Sequence, residues 1–215
     1  MNPKKIIMMG KGALCKKACQ WLLNNPTHYD LQYVVPVIPE PKWTDSIIEF
    51  CIENKIKYLP DGDYKNLPSE IIKSADIVIS IFYDKIIKEN FINKCNKIIN
   101  LHNAPLPKYR GVSPINWALK NQEIEHGITI HKISPGIDDG DIISQVKYSI
   151  YPEFDEVIDV YNRSINYGYT LFTETLPIID KITPTKQDDT KTIYYSSKDN
   201  NLLGERRNFT KKESL

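Results

Sequence analysis

Residues 77–102 read IVISIFYDKIIKENFINKCNKIINLH, and this stretch decides the fold. Ile77 to Phe82 is a continuous apolar run, the pattern of a strand covered on both faces. YDKII then breaks the run with polar residues at the strand's C-terminal end. A short helical segment follows, and Lys97 to Leu101 supplies the next apolar strand. Strand, helix and strand at this length make a βαβ unit, which implies a parallel sheet. The second strand closes on Asn100 and His102. In a strand, residues i and i+2 face the same side, so a carboxamide and an imidazole point together off the sheet's end. Ligands of open parallel sheets bind beyond the C-terminal ends of the strands, which makes this edge a candidate site.

Towards the N-terminus, KKIIMMGKGALCKKACQWLLNN (residues 4–25) reads as a buried strand, a glycine turn and an amphipathic helix. Leu14, Ala18, Trp21 and Leu22 carry the helical spacing. At Gly10-Lys11-Gly12, backbone N–H groups and a helix N-terminus can hold phosphate, although a tight turn needs glycine in any case. A dinucleotide fingerprint would place a third glycine where Cys15 stands, so the turn gives no support for NAD. LQYVVPVIPE (31–40) is a second strand that leaves the sheet at Pro36 to Pro39. Trp43 to Asn54 is a predicted helix with Trp43, Ile47, Phe50 and Cys51 on one face, and core packing is the role expected of Trp43. Ile56 to Leu59 is a predicted short strand, DGDYKNLP a loop, and Ser69 to Ser74 a short helix.

Towards the C-terminus, NLHNAPLPKYRGVSPINWAL (100–119) continues from the strand end into a Pro-rich bend, a basic-aromatic turn and an apolar segment starting at Pro114. HGITIHK (126–132) alternates as a strand does. ISPGIDDGD is a tight loop carrying Asp138, Asp139 and Asp141, and Ile142 to Ile150 is the returning strand. Asp155 to Leu176 is a long helix, with Val157, Val160, Tyr161, Ile165, Tyr169 and Phe172 spaced for burial. The remainder turns polar. The expected organisation is α/β, a Rossmann-like open, mostly parallel sheet with helices on both faces, over residues 1–180. Residues 181–215 form a short extension, with one hairpin around Ile193 to Tyr195 and a mobile end.

Composition narrows the classes. The chain has 215 residues, is 41% apolar and carries a formal net charge of +1, which suits one large domain with a real core. Near-neutral charge gives no footprint for nucleic acid or a membrane surface, and neither is an expected partner. The apolar run of the N-terminus is too short for a signal peptide, and no stretch approaches a membrane span. The expected location is the cytoplasm. Cys15, Cys19, Cys51 and Cys95 form no CxxC pair and read as small buried residues of a reduced protein.

Asn100, His102 and Asp138 are the candidate catalytic set. A carboxamide donates to a developing oxyanion, a histidine donates or shuttles a proton, and a carboxylate orients the imidazole. Together they suit attack on a carbonyl without a covalent enzyme intermediate. No GxSxG elbow and no HExxH spacing is present, so no metal is expected. Taken singly each member has a plainer reading: a capping Asn, a core His, a turn-forming Asp. His126 and His131 read as structural. Lys108 and Arg110, in the turn beside the site, are placed to steer anionic groups.

That joint pattern resembles the folate-dependent formyltransferase family. Its motifs are Asn100-Leu101-His102, then Leu106-Pro107-Lys108-Tyr109-Arg110-Gly111, Pro114 and Trp117-Ala118. Next come Gly127-Ile128-Thr129-Ile130-His131 and Asp138-Asp139-Gly140-Asp141-Ile142-Ile143-Ser144-Gln145. The resemblance covers most of the chain and is strongest between Ile77 and Gln145. It implies 10-formyltetrahydrofolate as one-carbon donor, with Asp138 as the family's essential aspartate. The pterin would lie between Tyr83, Asp84 and Ile86 on one side and Ile133, Ser134, Gly136 and Asp138 on the other. The lysine in the first loop, SIFYDKII before the active strand and the QDDTKTIYY extension look like the branch that formylates nucleotide-linked aminosugars. Within that branch the chain resembles bacterial enzymes acting on dTDP-4-amino-4,6-dideoxyglucose for O-antigen synthesis, in which homodimers are usual. Gly10, Lys11 and Gly12 would meet the pyrophosphate, and Lys85, Tyr109 and Arg110 the sugar or phosphate. Trp43, Tyr194 or Tyr195 would stack on the base. Three alternatives stay open: a phosphoribosylglycinamide formyltransferase-like enzyme, a formyltetrahydrofolate hydrolase, and a folate- or nucleotide-binding module with a dead site. Methionyl-tRNA formyltransferase, with its further domain and basic face, fits the length and charge poorly.

Overall fold

A computed structural model describes residues 2–204. In chain order the elements are β1 (Lys4–Gly10), α1 (Gly12–Leu23), β2 (Tyr29–Pro36), α2 (Ile47–Glu53), α3 (Ser69–Ser74), β3 (Ile77–Ile81) and α4 (Glu89–Ile92). They continue with β4 (Ile98–His102), β5 (Arg110–Gly111), α5 (Pro114–Lys120), β6 (Glu125–Lys132), β7 (Ile142–Ser149), α6 (Val157–Thr175) and β8 (Tyr194–Tyr195). Six strands make one sheet in the order β2-β1-β3-β4-β6-β7. Neighbours among β1 to β4 run parallel, and β6 and β7 add two antiparallel strands. From β1 the order departs both ways, to β2 and to β3. The crevice between β1 and β3 is thus a topological switch point, where such sheets bind ligands.

Strand alternation divides the core. Ile6, Met8, Ile79 and Ile81 pack against α1, α2 and α6 on one face. Ile7, Met9, Val78 and Ile98 pack on the other face against Tyr64, Ile72 of α3 and Phe91 of α4. Both faces of the parallel strands are therefore dry, as the uninterrupted apolar run at 77–82 requires. A third cluster gathers around α5, where Tyr195 stacks on Trp117 with centroids 3.8 Å apart and planes 2° from parallel.

Gly10 makes the first turn possible. Its φ is +154°, and a Cβ there would lie 2.0 Å from the carbonyl oxygen of Ile81. The obstacle is neighbouring backbone, which cannot rotate aside. Gly10→Ala is expected to cost at least about 2 kcal/mol, read as a lower urea midpoint, or to prevent folding.

The structure departs from the sequence reading in three places. The second helix starts at Ile47, not Trp43. Ser46 accepts the Glu49 amide at 3.0 Å as N-cap, and the Glu40 carboxylate accepts the Ile47 and Ile48 amides at 2.7 and 3.2 Å. These groups satisfy the helix's free N–H donors, so nothing extends it backwards. Trp43 is left 63% exposed instead of in the core. Ile56 to Leu59 makes only a single parallel bridge, Tyr58 to Val34, before Pro60. No hairpin forms at Ile193 to Tyr195: β8 pairs in parallel with β5, over eighty residues earlier in the chain. The described part of the extension is docked, through an antiparallel bridge from Thr185 to Ile142 and through β8. The mobile end predicted from sequence lies outside the described residues.

Cys15 and Cys19 of α1 and Cys51 of α2 are fully buried. Burial pushes the Cys51 thiol up to about 12, so it is held as an unreactive thiol.

Candidate active site

The turns after β1 and β3 and the end of β4 converge with the 111–116 segment on a cleft of about 460 Å³. Asn100, His102 and Asp138 all line it. β4 supplies the first two on one face, and the 133–141 loop brings Asp138 over them. Asn100 Nδ2 donates to Asp138 Oδ1 at 3.3 Å. His102 Nδ1 lies 3.6 Å from Asp138 Oδ2. The backbone amide of Gly111 donates to the same Oδ2 at 2.9 Å.

The imidazole of His102 has one nitrogen committed. Nε2 lies 2.9 Å from the carbonyl oxygen of Tyr109. A carbonyl only accepts, so Nε2 carries hydrogen and Nδ1 is the nitrogen free to gain or lose a proton. Nδ1 faces Asp138 and the cleft.

A fourth member joins the set. His131 stands directly across from Asn100 in the β4–β6 ladder. Its Nδ1 donates to the carbonyl of Lys132 at 2.7 Å, and its Nε2 lies 3.2 Å from Asn100 Nδ2. Nε2 is also 3.4 Å from Asp138 Oδ1. His131 is thus part of the polar cluster, not the purely structural residue expected from sequence. Burial alone would raise the Asp138 carboxyl. The charge of His102, the hydrogen bond and charge of His131 and the Gly111 amide outweigh it and hold the carboxyl well below the usual range.

The cleft walls are bent sharply. Phe82, Tyr109, Ser113 and Asp138 have φ between +50° and +62°, a region that costs a non-glycine residue on the order of 1 kcal/mol or more. Strain therefore collects at the turns that aim the site.

His126 is structural, as expected. Its Nε2 donates to the carbonyl of Asn103 at 2.9 Å, in full burial. Burial pushes its pKa down from 6.5 to about 4. The unfolded chain then binds a proton at a higher pH than the native one. The native state's advantage is complete above about pH 6.5 and declines as pH falls towards 4, by on the order of 3 kcal/mol. Urea midpoints measured at pH 7 and pH 5 should fall accordingly, and His126→Gln should flatten the decline.

The other predicted contacts separate. Of the first turn, only Lys11 lines the cleft, with Nζ 3.6 Å from Asp84 across the switch point. Gly10 is packed under Ile81, and Gly12 lies against Thr44 and Tyr161. Lys85 turns away and donates to the carbonyl of Gly62 at 3.0 Å. Tyr109 and Arg110 also turn inwards. The Tyr109 hydroxyl donates to Glu123 at 2.8 Å, and Arg110 is bound by Gln187. Lys85, Tyr109 and Arg110 are thus each engaged by protein groups, and none of them lines the cleft. Tyr195 is spent on Trp117, while Trp43 stands at the cleft, edge-on to Tyr161 at 5.2 Å. Tyr83 and Ile133 each pack against the second core cluster. Ile86 is exposed, Ser134 is bound to Asp139, and Gly136 leaves room for the Asp139 carboxylate.

The acid–imidazole–carboxamide cluster thus stands at the C-terminal end of β4 in an open α/β sheet. The family model described as formyl transferase matches residues 54–176, more than half of the chain, and the chain belongs to that family. Methionyl-tRNA formyltransferase of Caldanaerobacter subterraneus subsp. tengcongensis is 31% identical over 153 residues, which are 68% of this chain and 49% of that protein. The chain thus spans about half the length of that relative. WlaRD, a sugar 3N-formyl transferase solved in the presence of dTDP and 5-N-formyl-THF, superposes with a TM-score of 0.80 at 30% identity, over 94% of this chain and 73% of that one. The N-formyltransferase from Helicobacter canadensis, in complex with folinic acid and dTDP-3-aminofucose, gives 0.81 at 28% identity, over 98% and 77%. No described helix is long and apolar enough to cross a membrane, and among the described residues no His, Cys, Asp and Glu cluster could hold a metal ion.

Proposed function

We propose that this chain transfers the formyl group of 10-formyltetrahydrofolate to the amino group of a nucleotide-linked aminosugar. The observation that carries this is the convergence of Asn100, His102 and Asp138 on a cleft that Lys11 and Trp43 also line. The donor is a substrate, placed with its pterin between the 83–87 and 133–138 loops.

The reaction forms one C–N bond and breaks another. The free amine attacks the formyl carbon, and the carbonyl oxygen becomes an oxyanion. Asn100 Nδ2 donates to it. Its present partners are at 3.2 and 3.3 Å, long enough for a charged oxygen to win one hydrogen from them. A hydrogen on His102 Nδ1 supports the same oxygen. The attacking nitrogen then loses a proton and the departing folate nitrogen gains one, with His102 Nδ1 as carrier. Asp138 keeps that nitrogen oriented and balances its charge while it is protonated.

Lys11 meets the pyrophosphate when it exchanges its loose contact with Asp84 for the ligand. Trp43 stacks on the base. Base–aromatic stacking is worth about 1–3 kcal/mol, so Trp43→Ala should raise KM for the nucleotide sugar by about tenfold or more and leave KM for the folate and the melting temperature unchanged.

The acceptor we assign is dTDP-linked. A 4-amino-4,6-dideoxyglucose is the choice drawn from the sequence. A 3-amino sugar is the second reading, favoured by the 3N-formyl transfer named for WlaRD and the dTDP-3-aminofucose named for the Helicobacter canadensis enzyme. O-antigen synthesis, a cytoplasmic location and a homodimer belong to the same reading. The test is a panel of dTDP- and UDP-linked 3- and 4-aminosugars, glycinamide ribonucleotide and charged methionyl-tRNA, each offered with the formyl donor and read by product mass. Formylation of the ribonucleotide or the tRNA alone would overturn the assignment.

A further inference from the structure

We propose that Gln187, in the C-terminal extension, is a positioning residue for Asp138; this rests on the function proposed above. Gln187 is 6% exposed and does not touch the cleft. Its carboxamide is fully used. Nε2 donates to the carbonyl oxygens of Asp138 and Gly140 at 2.8 and 2.7 Å. Oε1 accepts Nε and Nη2 of Arg110 at 3.0 and 2.8 Å. Two hydrogens and two lone pairs are all that this group possesses.

These bonds close a ring around Asp138. Arg110 is followed by Gly111, whose amide donates to the Asp138 carboxylate at 2.9 Å. Gln187 thus holds the aspartate's backbone with one end and, through Arg110, the donor to its carboxylate with the other. Asp138 needs such a hold, because its φ of +50° is not one it would keep unaided. The flanking bonds from the Arg110 amide to Ile193 and the Val112 amide to Tyr195 bring the extension to the same place. A residue far along the chain therefore sets where the carboxylate stands relative to His102, and the extension is part of the catalytic unit.

Gln187→Glu and Gln187→Met separate the two ends. The glutamate keeps volume and an acceptor for Arg110 but offers no N–H to the two carbonyls as a carboxylate. The methionine keeps only the shape. Two readouts are made on the full chain, with melting temperature as the folding control. First, amide exchange at Gly111 is compared with Arg110 and Val112. Second, kcat and both KM values are measured for formyl transfer. In both variants Gly111 should lose protection while Arg110 and Val112 keep theirs. The value of kcat should fall by about tenfold or more, since misplacement of this size is costly at a reacting centre, with both KM values within about twofold. Wild-type protection at Gly111 in a folded variant overturns the proposal whatever the activity. Wild-type kcat, or a loss in KM alone, overturns it as well. Absence of transfer by the wild-type chain would instead strike the functional reading, while the exchange at Gly111 still decides whether Gln187 holds the aspartate.

Discussion

Asp138→Asn is expected to lower the turnover of formyl transfer by on the order of 10⁴-fold, the scale seen when a buried carboxylate that orients a histidine becomes an amide. The two oxygens of Asp138 have different duties. Oδ2 accepts the Gly111 amide and faces His102 Nδ1, and Oδ1 faces Asn100 Nδ2 and His131 Nε2. An asparagine has one acceptor and one donor. If its NH₂ takes the Oδ2 place, it opposes the Gly111 N–H. If it takes the Oδ1 place, it opposes the Asn100 amide. Either orientation sets two donors against each other, and the negative charge that supports a proton on His102 Nδ1 is gone. The carboxyl is also held below its ordinary pKa, so its contribution to stability is present above about pH 4 and is lost as pH falls further. The variant should therefore be modestly less stable at neutral pH and lose less on acidification. Steady-state kinetics with a parallel urea titration measures both.

Asn100→Ala is expected to lower kcat by about a hundredfold or more, the usual cost of one oxyanion donor. The loss should fall on kcat and kcat/KM together, with KM for the folate little changed, because the hydrogen bond strengthens only as the formyl oxygen becomes an anion. Folding should survive. Asn100 is only half-buried, and its two partners retain each other, His131 Nε2 being 3.4 Å from Asp138. A variant that bound folate weakly but turned over normally would place the oxyanion elsewhere.

Much of this arrangement was legible in the chain. The uninterrupted run at 77–82 and the glycine turn at 10–12 imply buried parallel strands, and the i, i+2 pair at Asn100 and His102 marks the edge that carries the site. What escaped had long-range causes. His131 is opposite Asn100 only because β6 runs antiparallel to β4 in one register, and alternation within HGITIHK does not reveal a partner strand. Arg110 and Tyr109 look like solvent-facing groups of a basic loop. Their acceptors, Gln187 and Glu123, lie 77 and 14 residues away and draw them inwards. Trp43 reads as core from helical spacing, yet Ser46 and Glu40 cap the helix after it and leave the ring at the cleft. β8 reads as half a hairpin, but its partner is β5. Local pattern carries element type, while caps, register and distant acceptors decide which polar groups face a ligand.

The most direct test of the central claim is the stoichiometry of transfer. The chain is mixed with 10-formyltetrahydrofolate carrying an isotopically labelled formyl carbon, with and without a dTDP-linked aminosugar, and released tetrahydrofolate is compared with labelled formamido product. The expected result is one folate released per formylated sugar, with negligible release when the sugar is omitted and both products formed at least about a hundredfold more slowly by Asn100→Ala and Asp138→Asn. Folate release that proceeds equally without the amine, or labelled product formed at the wild-type rate by both variants, would contradict the account.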